Sequence, residues 1–150
     1  MPTLSGHLQN NRILIKVGIR QFEPIGPVAG QSTIPSLDYV EAMALVDTGA
    51  RRTCISEQLV QKLRMRRIGQ TEVWNVKRPE RHWTYLFHVG IWPDTELGVP
   101  STIFGIGEEI EGIDIGNHPY FDVLLGMDII SQGRLLVEPN GDFTITFGEQ

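Results

Sequence analysis

Residues 45–56 read LVDTGARRTCIS, and an acid stands where an apolar strand is ending. Leu45 and Val46 close the run EAMALV (41–46), which no turn former interrupts, the pattern of a strand covered on both faces. A carboxylate at the edge of a core has to be hydrogen-bonded, paired or protonated, so Asp47 needs a specific environment. Thr48 adds a hydroxyl, and Gly49 a position without Cβ where another backbone or a ligand can come close. Taken alone, Asp-Thr-Gly is equally the vocabulary of an ordinary turn.

Working outward, RILIKVGIR (12–20) places Ile13, Ile15, Val17 and Ile19 on one face, which predicts a half-buried strand. Residues 21–38, with three prolines, read as a loop before the strand at 39–46. Ser56 is a helix N-cap for EQLVQKL (57–63), whose basic end carries Lys62, Arg64, Arg66 and Arg67, read as a solvated cluster. Between 71 and 92, TEVWNV and WTYLFHVGIW flank KRPER (77–81), a hairpin with a charged tip, and Tyr85, Phe87, Val89 and Ile91 share a face. Short apolar pieces follow at 101–115. FDVLLG (121–126) is a second buried strand running into glycine, MDIISQ (127–132) a helical turn, and RLLVE and DFTITF a hairpin around Asn140-Gly141. Many short strands, two small helices and one core predict a mostly β fold, barrel or sandwich, in a single domain over 1–150. Its core spans about 12–147, with residues 1–11 flexible or dimer-forming.

At 41% hydrophobic and 21% charged residues the composition is that of a globular protein, which excludes disordered and collagen-like chains. A net charge of −5 argues against a nucleic-acid partner. The single cysteine, Cys54, cannot form an internal disulfide and reads as a small core residue rather than a nucleophile. The N-terminus lacks the apolar stretch of a signal peptide, and no apolar run reaches membrane-spanning length, so a soluble, cytoplasmic protein is expected. His7, His82, His88 and His118 read as surface or hairpin residues whose spacing selects no metal site.

Two buried strands thus end in special turns, Val46 into Asp47-Thr48-Gly49-Ala50 and Leu124-Leu125 into Gly126. An apolar pair before Asp-Thr-Gly-Ala, then a hairpin, then apolar-apolar-Gly opening a short helix resembles the retropepsin-like aspartic proteases, bacterial and cellular members more than retroviral ones. The resemblance implies a closed β-barrel with a flap hairpin and one or two short helices, active as a homodimer, without metal or cofactor. It implies an aspartic endopeptidase acting on peptides or proteins. Such enzymes use two carboxylates sharing a proton. With one Asp-Thr-Gly in the chain, Asp47 would face its own copy across a two-fold axis. Thr48 would bond across that axis, Gly49 would keep its N–H near the carboxylate, and Ala50 would leave room for substrate. Leu124, Leu125 and Gly126 would wall the loop from behind. The hairpin 71–85 would be the flap, with Trp74, Val76 and Trp83 as substrate contacts, unless the tryptophans only fill its inner face.

Two departures from the retroviral pattern stand out: the flap tip is charged rather than glycine-rich, and Arg51 follows Ala50 while Asp128 follows Met127. Arg51 and Asp128 therefore read either as an ion pair with its charges exchanged relative to the family or as two independent surface charges. The family's interleaved termini would correspond to DFTITF with part of residues 2–10, although TLSGHLQNN is a poor strand. Because a fold does not guarantee chemistry, a catalytically inactive dimeric peptide-binding module is the alternative reading.

Overall fold

Apolar residues two apart along residues 15–19 build the centre of the molecule: Ile15, Val17 and Ile19 are buried on one side of a long strand. The computed structural model describes residues 1–24, 33–35, 38–74, 77–95 and 102–148. In chain order these form β1 (Thr3–His7), β2 (Leu14–Pro24), β3 (Thr33–Pro35), β4 (Val40–Val46), β5 (Cys54–Ser56), α1 (Glu57–Leu63), β6 (Gly69–Trp74) and β7 (Pro79–Ile91). There follow β8 (Phe104–Gly105), β9 (Ile110–Ile115), β10 (Val123–Leu125), α2 (Met127–Ile130), β11 (Gly133–Val137) and β12 (Asp142–Phe147).

The larger sheet runs β3-β2-β4-β10-β5-β9-β7-β6, with β8 on β7, and β2 also pairs with β7 from Val17↔Ile91 to Gln21↔Phe87. The path β2-β4-β10-β5-β9-β7 therefore returns to β2 and closes a ring. Val17, Ile55, Phe87, Val89, Ile91 and Val123 point inside with no exposed surface. The smaller sheet, β1-β12-β11, packs Phe143, Ile145 and Phe147 onto the same core. The mostly β class with two short helices is what the sequence predicts. Ser56 caps α1 as expected, accepting the Leu59 amide at 3.2 Å, and Arg64 closes the helix in the left-handed region.

Several local expectations are corrected. Within β4, Ala42, Ala44 and Val46 are buried, whereas Glu41 and Met43 are exposed, so the run is covered on one face only. It reads as continuous because the outward residue Met43 happens to be apolar. The span 21–38 includes the end of β2 and all of β3. Pro79, Glu80 and Arg81, assigned to the hairpin tip, belong to β7 and pair with Trp74, Val73 and Glu72. The poor strand TLSGH is β1, held by five register pairs to β12 of the same chain, which supplies the order its own side chains do not.

His88 is buried rather than on the surface. Its Nε2 donates to the Gly107 carbonyl at 3.0 Å, and its Nδ1 accepts from the Tyr39 hydroxyl at 2.7 Å, with Arg20 Nη2 at 3.2 Å. Carbonyl and guanidinium thus dictate which ring nitrogen carries the proton.

Candidate active site

The first motif lies at the end of β4. β10 runs parallel to β4 in the register Leu124↔Leu45 and Leu125↔Val46, so Gly126 continues alongside Asp47. The Asp47 amide donates to the Leu125 carbonyl at 3.0 Å. Two segments almost eighty positions apart in the chain are thereby joined at the predicted site. The Asp47 carboxylate is half-exposed and accepts the Gly49 amide through Oδ1 at 2.8 Å, while the Ala50 amide closes the turn onto the Asp47 carbonyl at 3.2 Å. Thr48 and Gly49 are exposed beside it. A carboxylate given one backbone N–H and left open to solvent is positioned and accessible.

Behind the loop the packing is close. A Cβ on Gly126 would lie 2.6 Å from the carbonyl carbon and oxygen of Arg52, so the space belongs to backbone. The Met127 amide donates to the Ala50 carbonyl at 2.7 Å and the Asp128 amide to the Arg51 carbonyl at 3.2 Å. The start of α2 thus holds the segment that follows the Asp47 turn.

Asp128 is engaged differently from the expected ion pair. Its Oδ1 accepts the Thr53 hydroxyl at 2.7 Å and the Ile129 amide at 2.9 Å, and its Oδ2 accepts the Thr53 amide at 2.9 Å. Among the described residues no ion pair joins it to Arg51, which is exposed. Thr53, fully buried, also accepts the Gly126 amide through Oγ1 at 3.2 Å. One threonine therefore bridges the segment after Asp47, the glycine turn and the helix start. Nothing in the spacing singled it out; the one available signal was an acid in the first turn of a helix, which attracts N–H and O–H donors as readily as a cation. Thr53→Val, which keeps shape but removes the hydroxyl from two buried bonds, is expected to destabilise the fold by about 1–3 kcal/mol in chemical denaturation.

Arg52 is a second residue the sequence did not flag. Its guanidinium donates to Thr71 Oγ1 in β6 at 3.3 Å and to the Glu111 carbonyl in β9 at 2.8 Å, tying the loop to the predicted flap. The hairpin is anchored again where His82 Nδ1 lies 3.1 Å from Asp114 Oδ1, which also accepts the Trp83 amide at 3.1 Å.

These anchors orient the hairpin. Thr71 pairs with His82 and Val73 with Glu80, and opposite partners in an antiparallel pair share a face, so these four look toward Arg52 and β9. Trp74 and Trp83 fall on the other face. Trp83 packs partly onto the core beneath Arg67, whose guanidinium carbon is 4.2 Å from the ring centroid, and Trp74 is 73% exposed. Val76 lies outside the described residues.

Cys54 is half-buried in β5, and burial first, then the Asp128 carboxylate, push its thiol up to about 11, against a smaller opposing effect of Arg52. A thiol so raised is a poor nucleophile at neutral pH. Alkylation by iodoacetamide at pH 8 is expected to run about 100-fold slower than for the same thiol in denaturant, following the smaller thiolate fraction.

No helix among the described residues is long and apolar enough to cross a membrane. No family model matches the chain, and neither does any curated protein. Among solved structures, the chain is similar to a retropepsin-like aspartic protease from Rickettsia conorii, with 14% identity and a TM-score of 0.53, over 100% of this chain and 98% of that one. At that identity the likeness is one of fold.

Proposed function

We propose that the protein is a homodimeric aspartic endopeptidase whose catalytic pair is Asp47 from each of two subunits. The observation that carries this reading is the half-exposed Asp47 carboxylate, fixed by the Gly49 amide at the end of β4 and backed by Leu125 and Gly126, in a chain with no second Asp-Thr-Gly. The shared fold with a retropepsin-like protease supports it.

Two such carboxylates on a two-fold axis share one proton, because adjacent like charges cannot both stay ionised. The ionised Asp47 removes a proton from a water between the pair, and the water oxygen bonds to the scissile carbonyl carbon. The protonated Asp47 gives its proton to the carbonyl oxygen. A tetrahedral diol results; as its C–N bond breaks, the Asp47 now protonated gives its proton to the leaving nitrogen and the ionised one takes a proton from a diol hydroxyl, so the pair again holds one shared proton. Thr48, exposed beside the axis, bonds to the partner's loop. Leu124, Leu125 and Gly126 hold the loop from behind, and Ala50 leaves room for the peptide. The β6–β7 hairpin closes over substrate and excludes water.

Within that hairpin the strand register favours Val73 over Trp74 as the substrate contact. Val73→Asp is expected to raise KM for an apolar peptide about tenfold or more, and Trp74→Ala to leave kcat/KM within about twofold, since only the former puts a charge against the bound chain. Equal effects would place the peptide on the other face.

The reading is tested by cleavage of a diverse peptide library between acid and neutral pH. A bell-shaped profile is expected, because either fully protonated or fully ionised pairs lack one of the two functions. Absence of cleavage at every pH by a protein that sediments as a dimer would overturn it.

A further inference from the structure

Charge is divided unevenly along the chain. Residues 51–81 hold nine of its 13 lysines and arginines but three of its 18 acids, so a protein of net charge −5 carries a strongly positive segment and an acidic remainder. Lys62, Arg64, Arg66, Arg67 and Arg81 are all exposed, and among the described residues none of them is in an ion pair.

Part of this charge is ordered on the outer face of the β6–β7 hairpin. The register pairs Gln70↔Trp83, Glu72↔Arg81 and Trp74↔Pro79 share that face, opposite to the one that Thr71, Val73 and His82 turn toward Arg52. The Arg67 guanidinium carbon lies 4.2 Å from the Trp83 ring centroid, Arg81 stands two residues before Trp83 on β7, and Trp74, 73% exposed, lies beyond Arg81. A concavity of about 360 Å³ on this stretch is lined by Gln70, Thr71, Glu72 and Arg81. At strand rise the positions of Trp83, Arg81 and Trp74 follow one another at intervals of about 6.6 Å. An extended polypeptide repeats the side chains of one face, i, i+2 and i+4, at that same interval.

The surface suits one kind of anion better than the others. Single-stranded nucleic acid stacks successive bases on open aromatic rings, and Arg67 already covers Trp83, which leaves Trp74 alone. A membrane takes up apolar side chains that are grouped, whereas the exposed Ile68 and Trp74 stand at opposite ends of β6. A carboxylate is bound by a guanidinium fork, and stacking on Trp83 holds the plane of one in place.

We propose that the outer face of the β6–β7 hairpin docks an acidic, extended segment of the protein substrate that lies outside the cleft. Carboxylates at i and i+2 meet Arg67 and Arg81, and an apolar side chain at i+4 packs on Trp74. Placing the segment in the substrate rests on the catalytic reading; the surface itself does not. Glu72, opposite Arg81 on the same face, repels such a ligand and limits its affinity.

The test is fluorescence anisotropy with short labelled peptides containing Glu-Ser-Glu-Ser-Leu, or the same sequence with Gln for both Glu, titrated with Asp47→Asn protein so that binding is read without cleavage. The acidic peptide is expected to bind about tenfold or more tighter than its amide counterpart at about 50 mM salt, and to lose most of that advantage at about 500 mM. Arg67→Gln combined with Arg81→Gln should abolish the preference, with circular dichroism reporting that the variant is folded. Glu72→Gln should strengthen it about threefold by removing a like charge. Arg134→Gln, at an exposed cation on β11, should leave it unchanged. Joined to a cleavable sequence, the acidic segment should lower KM for the native enzyme and leave kcat alone, as binding remote from the reacting bond does. Equal binding of the two peptides, a preference that survives the double substitution, or tighter binding of oligo-dT or phosphatidylserine vesicles than of the acidic peptide would overturn the proposal. The two readings fail separately. An acidic preference in Asp47→Asn protein, with no cleavage by the native chain, leaves the surface standing without the protease. Cleavage indifferent both to the acidic segment and to the double substitution leaves the protease without the surface.

Discussion

Asp47→Asn is expected to lower peptide cleavage by about 10³-fold or more while leaving the sedimentation of the dimer unchanged. The carboxamide is nearly isosteric and its oxygen can still accept the Gly49 amide, so the loop keeps its shape. What it cannot do is take a proton from water or share one with the facing acid. Mixing gives the sharper result. After native and Asp47→Asn subunits exchange in equal amounts, about one quarter of the dimers carry two aspartates, as random two-fold pairing requires. Cleavage should therefore fall to about a quarter of the native value. A site complete within one chain would retain about half, and that result would remove the shared pair from the mechanism.

The Asp47 turn was legible in the sequence because its constraints are local. An apolar strand, an acid, a hydroxyl and a residue without Cβ follow one another over five positions, and the structure places them at the end of β4 beside Leu125. The partner of Asp128 was not legible. A carboxylate in the first turn of a helix reads from sequence as half of an ion pair, yet Thr53, buried just before β5, satisfies it with an amide and a hydroxyl. Hydrogen bonds from neutral donors leave no charge pattern to detect. The same limit applies to the hairpin: aromatic residues attract notice, but which face looks inward depends on a register set by Arg52 and Asp114, both distant in sequence. β1 failed for a third reason. Its residues have weak strand propensity, and pairing with DFTITF overrides it. Contacts made within a few residues could be read; contacts decided by another segment's backbone could not.

Gly126→Ala is expected to lower Tm by about 5 °C or more and to abolish most cleavage, although alanine is the smallest change available. Backbone angle is not the obstacle: φ is −95° and ψ −175°, a conformation open to any residue. Space is the obstacle, because the added carbon would sit 2.6 Å from the carbonyl of Arg52 and 2.9 Å from its amide nitrogen. Overpacking of this kind costs about 1–3 kcal/mol when side chains can yield, and here the neighbour is main chain, which moves only by moving what it carries. Arg52 follows Ala50 and Arg51, whose carbonyls receive the amides of Met127 and Asp128, so any retreat stretches the bonds that hold the Asp47 loop. No trimming of a side chain can relieve the clash. Gly116→Ala is the control, since nothing lies within 4 Å of its added carbon, and it should leave both Tm and cleavage unchanged. If Gly126→Ala matched the control in stability and in rate, Arg52 would not be pressed against the glycine turn, and Leu124, Leu125 and Gly126 would lose their role as the wall behind Asp47.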